Sequence, residues 1–338
     1  MVERRNRRRE EGRIKEARNG RSAQLENRSR QAASERRKRA RRKKQRQRVV
    51  ISALIEILIL VLLAGAFCWN RGLGTKISGF FGRFDRPPVK ELDVTGVNSS
   101  NVVLMDVKSG KVIGDLNGKE QIYPASMTKI MTALVALEKL DELGLGMDSE
   151  VIIPEEAVGI EGSSIYLKKG ERISIEELLY GLMLQSGNDS ATALAMCVGG
   201  SLSSFVSMMN EKAETLGCSG THFTNPSGLY EENHYTTAAD LARIAGEAMK
   251  RDDFRKIVST KDWQNADGSR SFHNKNKTVF QYDGATGVKI GFTKASGRTL
   301  VASAKRDDKE MIAVVLRDGN WFNDAYALMD YGFQQGGK

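Results

Sequence analysis

The sequence has few of the residues that bind metal ions or build a disulfide framework. Among its 338 residues there are three cysteines and three histidines, namely Cys68, Cys197, Cys218, His222, His234 and His273. Their spacing matches no zinc motif and no multi-disulfide scaffold. We therefore predict no metal, no cofactor and no catalytic histidine. The sequence alone leaves open whether Cys197 and Cys218 pair or are two separate buried thiols, and we favour separate thiols.

Aromatic residues are absent from the part of the chain that carries the excess positive charge. Residues 1–48 hold 21 Lys and Arg against six Glu, while the whole chain has a formal net charge of +10. An arm with no aromatic rings to stack on bases and few apolar residues is expected to be disordered, and we expect no nucleic-acid partner. Its expected role is to set membrane topology and to attract anionic lipid, with a specific cytoplasmic partner as the alternative.

One long apolar run follows this arm. Residues 49–69 are interrupted only by Ser52, Glu56 and Gly65, so the run is long enough to cross a hydrocarbon core of ~30 Å. Its length and the lack of a small-residue cleavage site favour an uncleaved transmembrane helix over a signal peptide. Because Lys and Arg remain in the cytoplasm, we predict a single-pass protein of the cell membrane with a cytoplasmic N-terminus. Residues 70–95 would then be a linker, and residues 96–338 an extracytoplasmic folded domain.

Hydrophobic periodicity in residues 96–338 predicts an α/β (α+β) domain. A strand pair with a Ser109-Gly110 turn comes first, helices dominate the middle, and three strands precede a closing helix. Helices are predicted at 126–140, 175–183, 190–197, 203–216, 238–250 and 325–331, and the late strands at 287–292, 299–305 and 311–316. This order predicts an antiparallel sheet flanked by helices.

A serine and a lysine stand three residues apart at the predicted start of a helix. In the quartet Ser-Met-Thr-Lys at 126–129, this spacing puts Ser126 and Lys129 on one helix face. A neutral lysine can accept the serine proton when burial and a second positive charge lower its pKa. A helix cap beside a solvated lysine would explain the pair equally well.

Two later segments contain possible partners. Ser186 and Asn188, in Ser-Gly-Asn at 186–188, lie on a predicted loop from which a hydroxyl and an amide can reach a shared cleft, although both residues also suit a helix cap. Gly-Val-Lys-Ile-Gly-Phe-Thr at 287–293 is expected to be an edge strand. Its Lys289 either supplies the second charge or is an ordinary exposed lysine.

In this order, the three segments resemble the motifs of the penicillin-binding proteins and serine β-lactamases. Tyr-Pro-Ala at 123–125, Asn-Pro-Ser-Gly-Leu at 225–229 and His-Tyr-Thr-Thr at 234–237 narrow the resemblance to the low-molecular-mass D-alanyl-D-alanine carboxypeptidases. This resemblance implies a DD-peptidase/β-lactamase-like fold, in which an all-helical subdomain accompanies the sheet. Peptidoglycan stem peptides are the implied substrates, and β-lactam antibiotics the implied covalent inhibitors.

The resemblance also implies catalytic roles. Ser126 would attack the carbonyl between two D-alanines, with Lys129 as general base. Ser186 would relay a proton to the departing amine, and Asn188 would hold the substrate backbone and position Lys129.

The strand motif would bind the substrate. Lys289 would face its carboxylate, and the oxyanion would lie between the backbone N–H groups of Ser126 and Phe292. The implied substrate-binding residues are thus Lys289, Gly291, Phe292 and Thr293.

Two positions depart from the family pattern. Ile290 stands where the family usually has a threonine that helps bind the terminal carboxylate, and Trp321 stands where an arginine is common. We expect Lys289, Thr293 and a relocated arginine, either Arg298 or Arg317, to take over.

The departures leave three functions open. A carboxypeptidase is favoured, a DD-endopeptidase that cuts cross-links is the second, and a catalytically weak wall-binding penicillin-binding protein is the third. A β-lactamase is disfavoured, because no glutamate can be assigned to position the deacylating water.

Overall fold

The computed structural model describes residues 97–335 of the chain. The predicted basic arm, transmembrane helix and linker fall outside this range. Within residues 97–335 no single helix has the length and apolar composition needed to cross a membrane. The helices Asn188–Gly199 and Leu202–Thr215 meet both criteria when they are taken together, but the pair is bent by 89°.

The described chain contains nine strands and eight α-helices. The strands are β1 Asn101–Asp106, β2 Val112–Leu116, β3 Glu150–Ile152, β4 Arg172–Ser174, β5 Asp262–Gln264, β6 Ser271–His273, β7 Ala285–Thr293, β8 Gly297–Arg306 and β9 Lys309–Leu316. The helices are α1 Thr128–Leu143, α2 Ile175–Tyr180, α3 Asn188–Gly199, α4 Leu202–Thr215, α5 Ala238–Ala248, α6 Asp252–Ser259, α7 Thr278–Gln281 and α8 Trp321–Gln335.

The main sheet has five antiparallel strands in the order β2-β1-β9-β8-β7. The predicted β1–β2 hairpin is confirmed: Gly110 has a φ of +67° in the turn, and the Asp106 carboxylate accepts the Ser109 N–H (2.7 Å). Strand β7 lies at the sheet edge, as its sequence predicts. Its outer side has no strand neighbour among the described residues.

Side chains alternate between the two faces of the sheet, so each face builds its own core. In β1, Val103 and Met105 join the large core on the side of α5 and α6, while Val102 and Leu104 join the smaller core beneath α8. The sheet is therefore a middle layer with helices on both sides, which confirms the predicted antiparallel sheet flanked by helices.

Helix α1 is central to the helical part of the domain. Eleven of its 16 residues are buried, and it packs against α3, α4 and α5. A helix buried on most sides holds its first turn rigidly, because few of its side chains can move without opening the core. The site residues at its N-terminus are therefore held in fixed positions.

The structure differs from the predicted helix at 175–183. Helix α2 ends at Tyr180, and the chain continues as a π-helical turn, Gly181–Gln185. The predicted continuation rested on apolar periodicity, which cannot distinguish an α-helix from a short π-helical turn. Asn188 also differs from its prediction, since it is the first residue of α3 rather than part of a loop.

Candidate active site

Ser126 lies in a single 3₁₀ turn, Ala125–Met127, directly before α1. Ala125 has a φ of +49°, a left-handed conformation that is unusual for a residue with a side chain. A neighbouring loop presses against this turn at Gly228, where an added Cβ would lie 1.8 Å from the Ala125 carbonyl oxygen. The turn is therefore clamped between α1 and the 225–229 loop.

Lys129 connects three parts of the site. Its side chain is fully buried, and its Nζ donates hydrogen bonds to Ser126 Oγ (3.1 Å), Asn188 Oδ1 (2.7 Å) and the Ser227 carbonyl (2.6 Å). The predicted Ser126, Lys129 and Asn188 thus meet around one nitrogen atom. Ser227, which was quoted only as part of a family motif, is an additional partner.

The pKa of Lys129 lies well below its usual value. Burial is the main cause, and the positive charges of Lys289 and Lys275 act in the same direction, whereas Asp189 opposes them. The neutral amine is therefore favoured. The neutral amine keeps two N–H donors, enough for Asn188 Oδ1 and the Ser227 carbonyl, and its lone pair can accept the proton of Ser126 Oγ.

Ser186 and Asn188 reach the site from the π-helical turn and from α3. Ser186 is nearly buried and ends the turn at a φ of +65°; within residues 97–335 its hydroxyl has no hydrogen-bond partner. The Asn188 amide donates to the Glu161 carbonyl (2.6 Å). That bond fixes the amide so that its oxygen faces Lys129.

Asp189 follows Asn188 in the family-like segment at 186–189, but the sequence assigned it no role. Its buried carboxylate accepts the Ile165 N–H (3.0 Å), the Leu167 N–H (3.2 Å) and the Ser164 hydroxyl (2.6 Å). These bonds hold the loop that supplies the Glu161 carbonyl to Asn188. Only the fold shows this role, because a buried aspartate after Asn188 has no distinctive spacing.

Lys289 is buried on β7, with 1% of its surface exposed. It is therefore not an ordinary exposed strand lysine. Its Nζ donates to the Ile290 carbonyl (3.1 Å), and burial, followed by the charge of Lys275, lowers its pKa to about 7. The charged forms of both buried lysines are thus less favoured here than that of an exposed lysine.

Gly291 allows β7 to lie against Ser126. A Cβ at this position would be 3.0 Å from Ser126 N and 2.8 Å from Thr299 Oγ1. The strand backbone and the Ser126 N–H are therefore adjacent, as two oxyanion donors must be.

The residues of β7 alternate between the two faces of the sheet. Lys289, Gly291 and Thr293 share one face by alternation, and Ile290 and Phe292 share the other. Ile290 and Trp321, the two departures from the family pattern, both pack against the core beneath α8. Apolar packing has thus replaced polar groups at both positions.

Thr293, Arg298 and Arg317 were expected to replace the carboxylate-binding groups missing at positions 290 and 321, and each has different surroundings. Thr293 exchanges hydrogen bonds with Ser296 in the β7–β8 turn. Arg317 pairs with Glu120 (3.1 Å), while Arg298 lies opposite Phe292 in the strand register, is exposed and has no ion pair among the described residues.

His234 supports the site without belonging to it. Its Nδ1 accepts the backbone N–H of Thr224 (3.0 Å), so the proton is on Nε2, which donates to Thr128 Oγ1 (2.8 Å). Burial lowers its pKa to about 4. The neutral ring therefore fixes Thr128, the residue next to Lys129.

No group of His, Cys, Asp or Glu within the described range could hold a metal ion. Cys197 and Cys218 are both free thiols.

Comparison with known proteins identifies relatives of this chain by sequence. Residues 89–320 match the peptidase S11 family, described as D-alanyl-D-alanine carboxypeptidase. The D-alanyl-D-alanine carboxypeptidase DacF of Bacillus subtilis is 40% identical over 220 residues, covering 64% of this chain and 57% of its own. DacC of Escherichia coli is 33% identical over 253 residues, covering 72% of this chain and 63% of its own. The chain thus spans less than two thirds of the length of these two relatives.

A solved structure agrees in fold. Penicillin-binding protein 6B from Escherichia coli aligns with a TM-score of 0.67 and 30% identity, over 70% of this chain and 78% of that one. Because the family match extends over most of the chain and includes all the residues gathered around Lys129, the chain belongs to the D-alanyl-D-alanine carboxypeptidase family, peptidase S11.

Proposed function

We propose that this chain is a serine-type D-alanyl-D-alanine carboxypeptidase that trims peptidoglycan stem peptides through an acyl-enzyme on Ser126. The observation that carries the proposal is the buried Lys129, whose Nζ bridges Ser126 Oγ, Asn188 Oδ1 and the Ser227 carbonyl. A lysine held in this way is a base placed to activate one hydroxyl.

In the acylation step, Ser126 Oγ attacks the carbonyl between the two terminal D-alanines while its proton passes to neutral Lys129. The Ser126 and Phe292 N–H groups stabilise the oxyanion, and each such donor contributes roughly 3 kcal/mol. Ser186 relays the proton from Lys129 to the departing amine, and free D-alanine leaves. Asn188 holds Lys129 and the substrate backbone.

In the deacylation step, water attacks the ester carbonyl and gives a proton to Lys129, and the shortened peptide leaves as Ser126 regains its hydrogen. β-Lactams acylate the same serine, because their strained amide occupies the place of the scissile bond.

The terminal carboxylate requires positive groups near the end of β7. Lys289 is one, and the exposed Arg298 is our candidate for the other: its register partner Phe292 lies on the opposite face from Lys289, so its long side chain has to reach the carboxylate around the end of β7. Arg298→Gln is expected to raise KM for a pentapeptide roughly tenfold, because a charge-assisted hydrogen bond contributes about 1.5–3 kcal/mol. Arg317→Gln, which removes a cation already paired with Glu120, is the matched control and is expected to leave KM unchanged.

A DD-endopeptidase is the second candidate. The observation that favours it is the apolar packing of Ile290 and Trp321, since a cross-linked substrate has no free carboxylate at the scissile D-alanine.

The full-length chain, incubated with a pentapeptide and with a cross-linked dimer, separates the candidates by mass spectrometry of the products. Loss of one D-alanine from the pentapeptide supports the carboxypeptidase, and preferential cleavage of the dimer supports the endopeptidase. Failure to cut either, with no penicillin bound, would indicate a wall-binding protein.

The cellular setting belongs to the same proposal. The 21-residue apolar run at 49–69 would anchor the chain as a single membrane helix, with the basic arm near anionic lipid in the cytoplasm and residues 96–338 outside.

A further inference from the structure

Lys275 is a third lysine at the candidate active site, and no sequence motif draws attention to it. It lies between β6 and α7, and its Nζ donates a hydrogen bond to the Gln185 carbonyl (2.9 Å). That carbonyl belongs to the peptide unit leading into Ser186. Because a peptide unit is planar, holding its oxygen limits rotation about the bonds that orient Ser186.

Two more hydrogen bonds connect the same segments. The backbone N–H of Lys275 donates to the Leu184 carbonyl (3.3 Å), and the Gln185 side chain donates to the His273 carbonyl (2.8 Å). Ser186 has a φ of +65°. This left-handed conformation is disfavoured for a residue with a side chain and persists where its surroundings hold it.

The backbone on both sides of Lys275 is itself anchored. Asn274 is buried, and its amide donates to the carbonyls of Val258 (3.2 Å) and Thr260 (2.9 Å). The Asn274 side-chain oxygen accepts the Asn276 N–H (2.9 Å). Lys275 therefore projects from a rigid segment, although its own side chain is exposed.

Lys275 is also a charged neighbour of both buried lysines. Its positive charge lowers the pKa of Lys289, where burial is the larger cause, and contributes in the same direction to Lys129. The other titratable groups that interact with Lys129 are Lys289, Asp189 and His234.

We propose that Lys275 is a positioning residue for the acylation step: its ammonium group fixes the Gln185–Ser186 peptide unit and adds positive charge beside the two buried lysines. This inference rests on the proposed function, because it concerns the proton transfers among Ser126, Lys129 and Ser186. Lys275 itself exchanges no proton with the substrate. It acts through the Gln185 carbonyl and through its charge.

The test compares the full-length chain with Lys275→Met, Lys275→Arg and the control Lys277→Met, an exposed lysine two residues away. Acylation by a fluorescent penicillin is followed across the neutral and alkaline range. Lys275→Met is expected to react several-fold more slowly at neutral pH, with the acid limb of the profile displaced upward by roughly half a pH unit or more, because losing a nearby positive charge raises the pKa of Lys129. Lys275→Arg and Lys277→Met are expected to match the wild-type chain.

A second readout does not depend on turnover. NMR of chain containing carbon-13-labelled lysine follows the titration of Lys289, whose pKa of about 7 is expected to rise only in Lys275→Met. An unchanged profile and an unchanged Lys289 titration in Lys275→Met would overturn the inference, as would a Lys275→Arg variant as slow as Lys275→Met. A wild-type chain that no penicillin acylates would instead refute the proposed function itself.

Discussion

Lys129 and Lys289 are both almost fully buried in the candidate active site, which is unusual for a side chain that normally carries a charge. Burial lowers the pKa of each, and their mutual repulsion increases the effect on Lys129. A nucleophile activated in this way needs no histidine. This agrees with the placement of His234, which is neutral and bonded to Thr128.

The sequence predicted the residues that have a fixed spacing and missed those that tertiary contacts supply. Ser126 and Lys129 are three residues apart on one chain segment, so their contact follows from helix geometry. The Ser227 carbonyl reaches Lys129 from a separate loop, and a backbone oxygen leaves no trace in residue type. Lys275 was missed because its contact with the Gln185 carbonyl forms only in the folded chain.

His234 leads to a prediction about pH and stability. Its pKa is about 4 in the folded chain, against about 6.5 for a free histidine, so the unfolded chain binds the extra proton between these values. The contribution of the neutral ring to the free energy of unfolding is fully present above pH 6.5. As pH falls toward 4, the free energy of unfolding decreases by up to about 3 kcal/mol.

Urea unfolding of the wild-type chain and of His234→Gln across this range measures the effect. The variant is expected to lose less stability on acidification, and His273→Gln, which alters an exposed histidine, is expected to follow the wild-type curve. Identical pH dependence in all three chains would show that His234 does not control it.

Among the elements, β7 and the 3₁₀ turn before α1 determine whether the site can form. The strand and helix pattern was predictable because apolar residues repeat with periods near 2 and 3.6. The short strands β3 to β6 and the helices α6 and α7 were not predicted, because elements this short hold little periodicity. The π-helical turn that ends at Ser186 was missed because its apolar residues continue the pattern of α2.

Gly291→Ala tests the close approach of β7 to Ser126. The new Cβ would lie 3.0 Å from Ser126 N, so the strand must move and the oxyanion donors separate. Acylation by penicillin is expected to slow tenfold or more, since one lost donor costs roughly 3 kcal/mol. Gly319→Ala, where an added Cβ meets nothing within 4 Å, is the control. Equal acylation rates in both variants would contradict the assigned geometry.

Asp189→Asn tests the loop that holds Asn188. The Asp189 Oδ2 accepts the Ile165 and Leu167 N–H groups and Oδ1 accepts the Ser190 N–H (2.9 Å), so whichever oxygen becomes the amide NH₂, at least one backbone donor loses its acceptor. The free energy of unfolding is expected to fall by about 1–3 kcal/mol, as measured in urea. Asp148→Asn, at an exposed position, is expected to change it little.

At the level of the whole molecule, the sequence predicted the layered arrangement because helices and strands occur in separate blocks along the chain. It could not predict that Ile290 and Trp321 pack against one core, since their positions are 31 residues apart in sequence and are brought together only by the fold.

The proposed topology makes its own prediction. In spheroplasts, an added protease is expected to cut within residues 70–95 and release the catalytic domain, while an epitope tag at the N-terminus stays protected. A tag lost at the same rate as the domain would contradict a cytoplasmic N-terminus.

Ser126 is the nucleophile of the proposed reaction. Intact-mass measurement of the full-length chain after incubation with benzylpenicillin tests this role, with Ser126→Ala as the matched variant. We expect one covalent penicilloyl adduct, mapped to the peptide containing Ser126, and none in the variant. An adduct of equal abundance in Ser126→Ala, or no adduct on the wild-type chain, would contradict it.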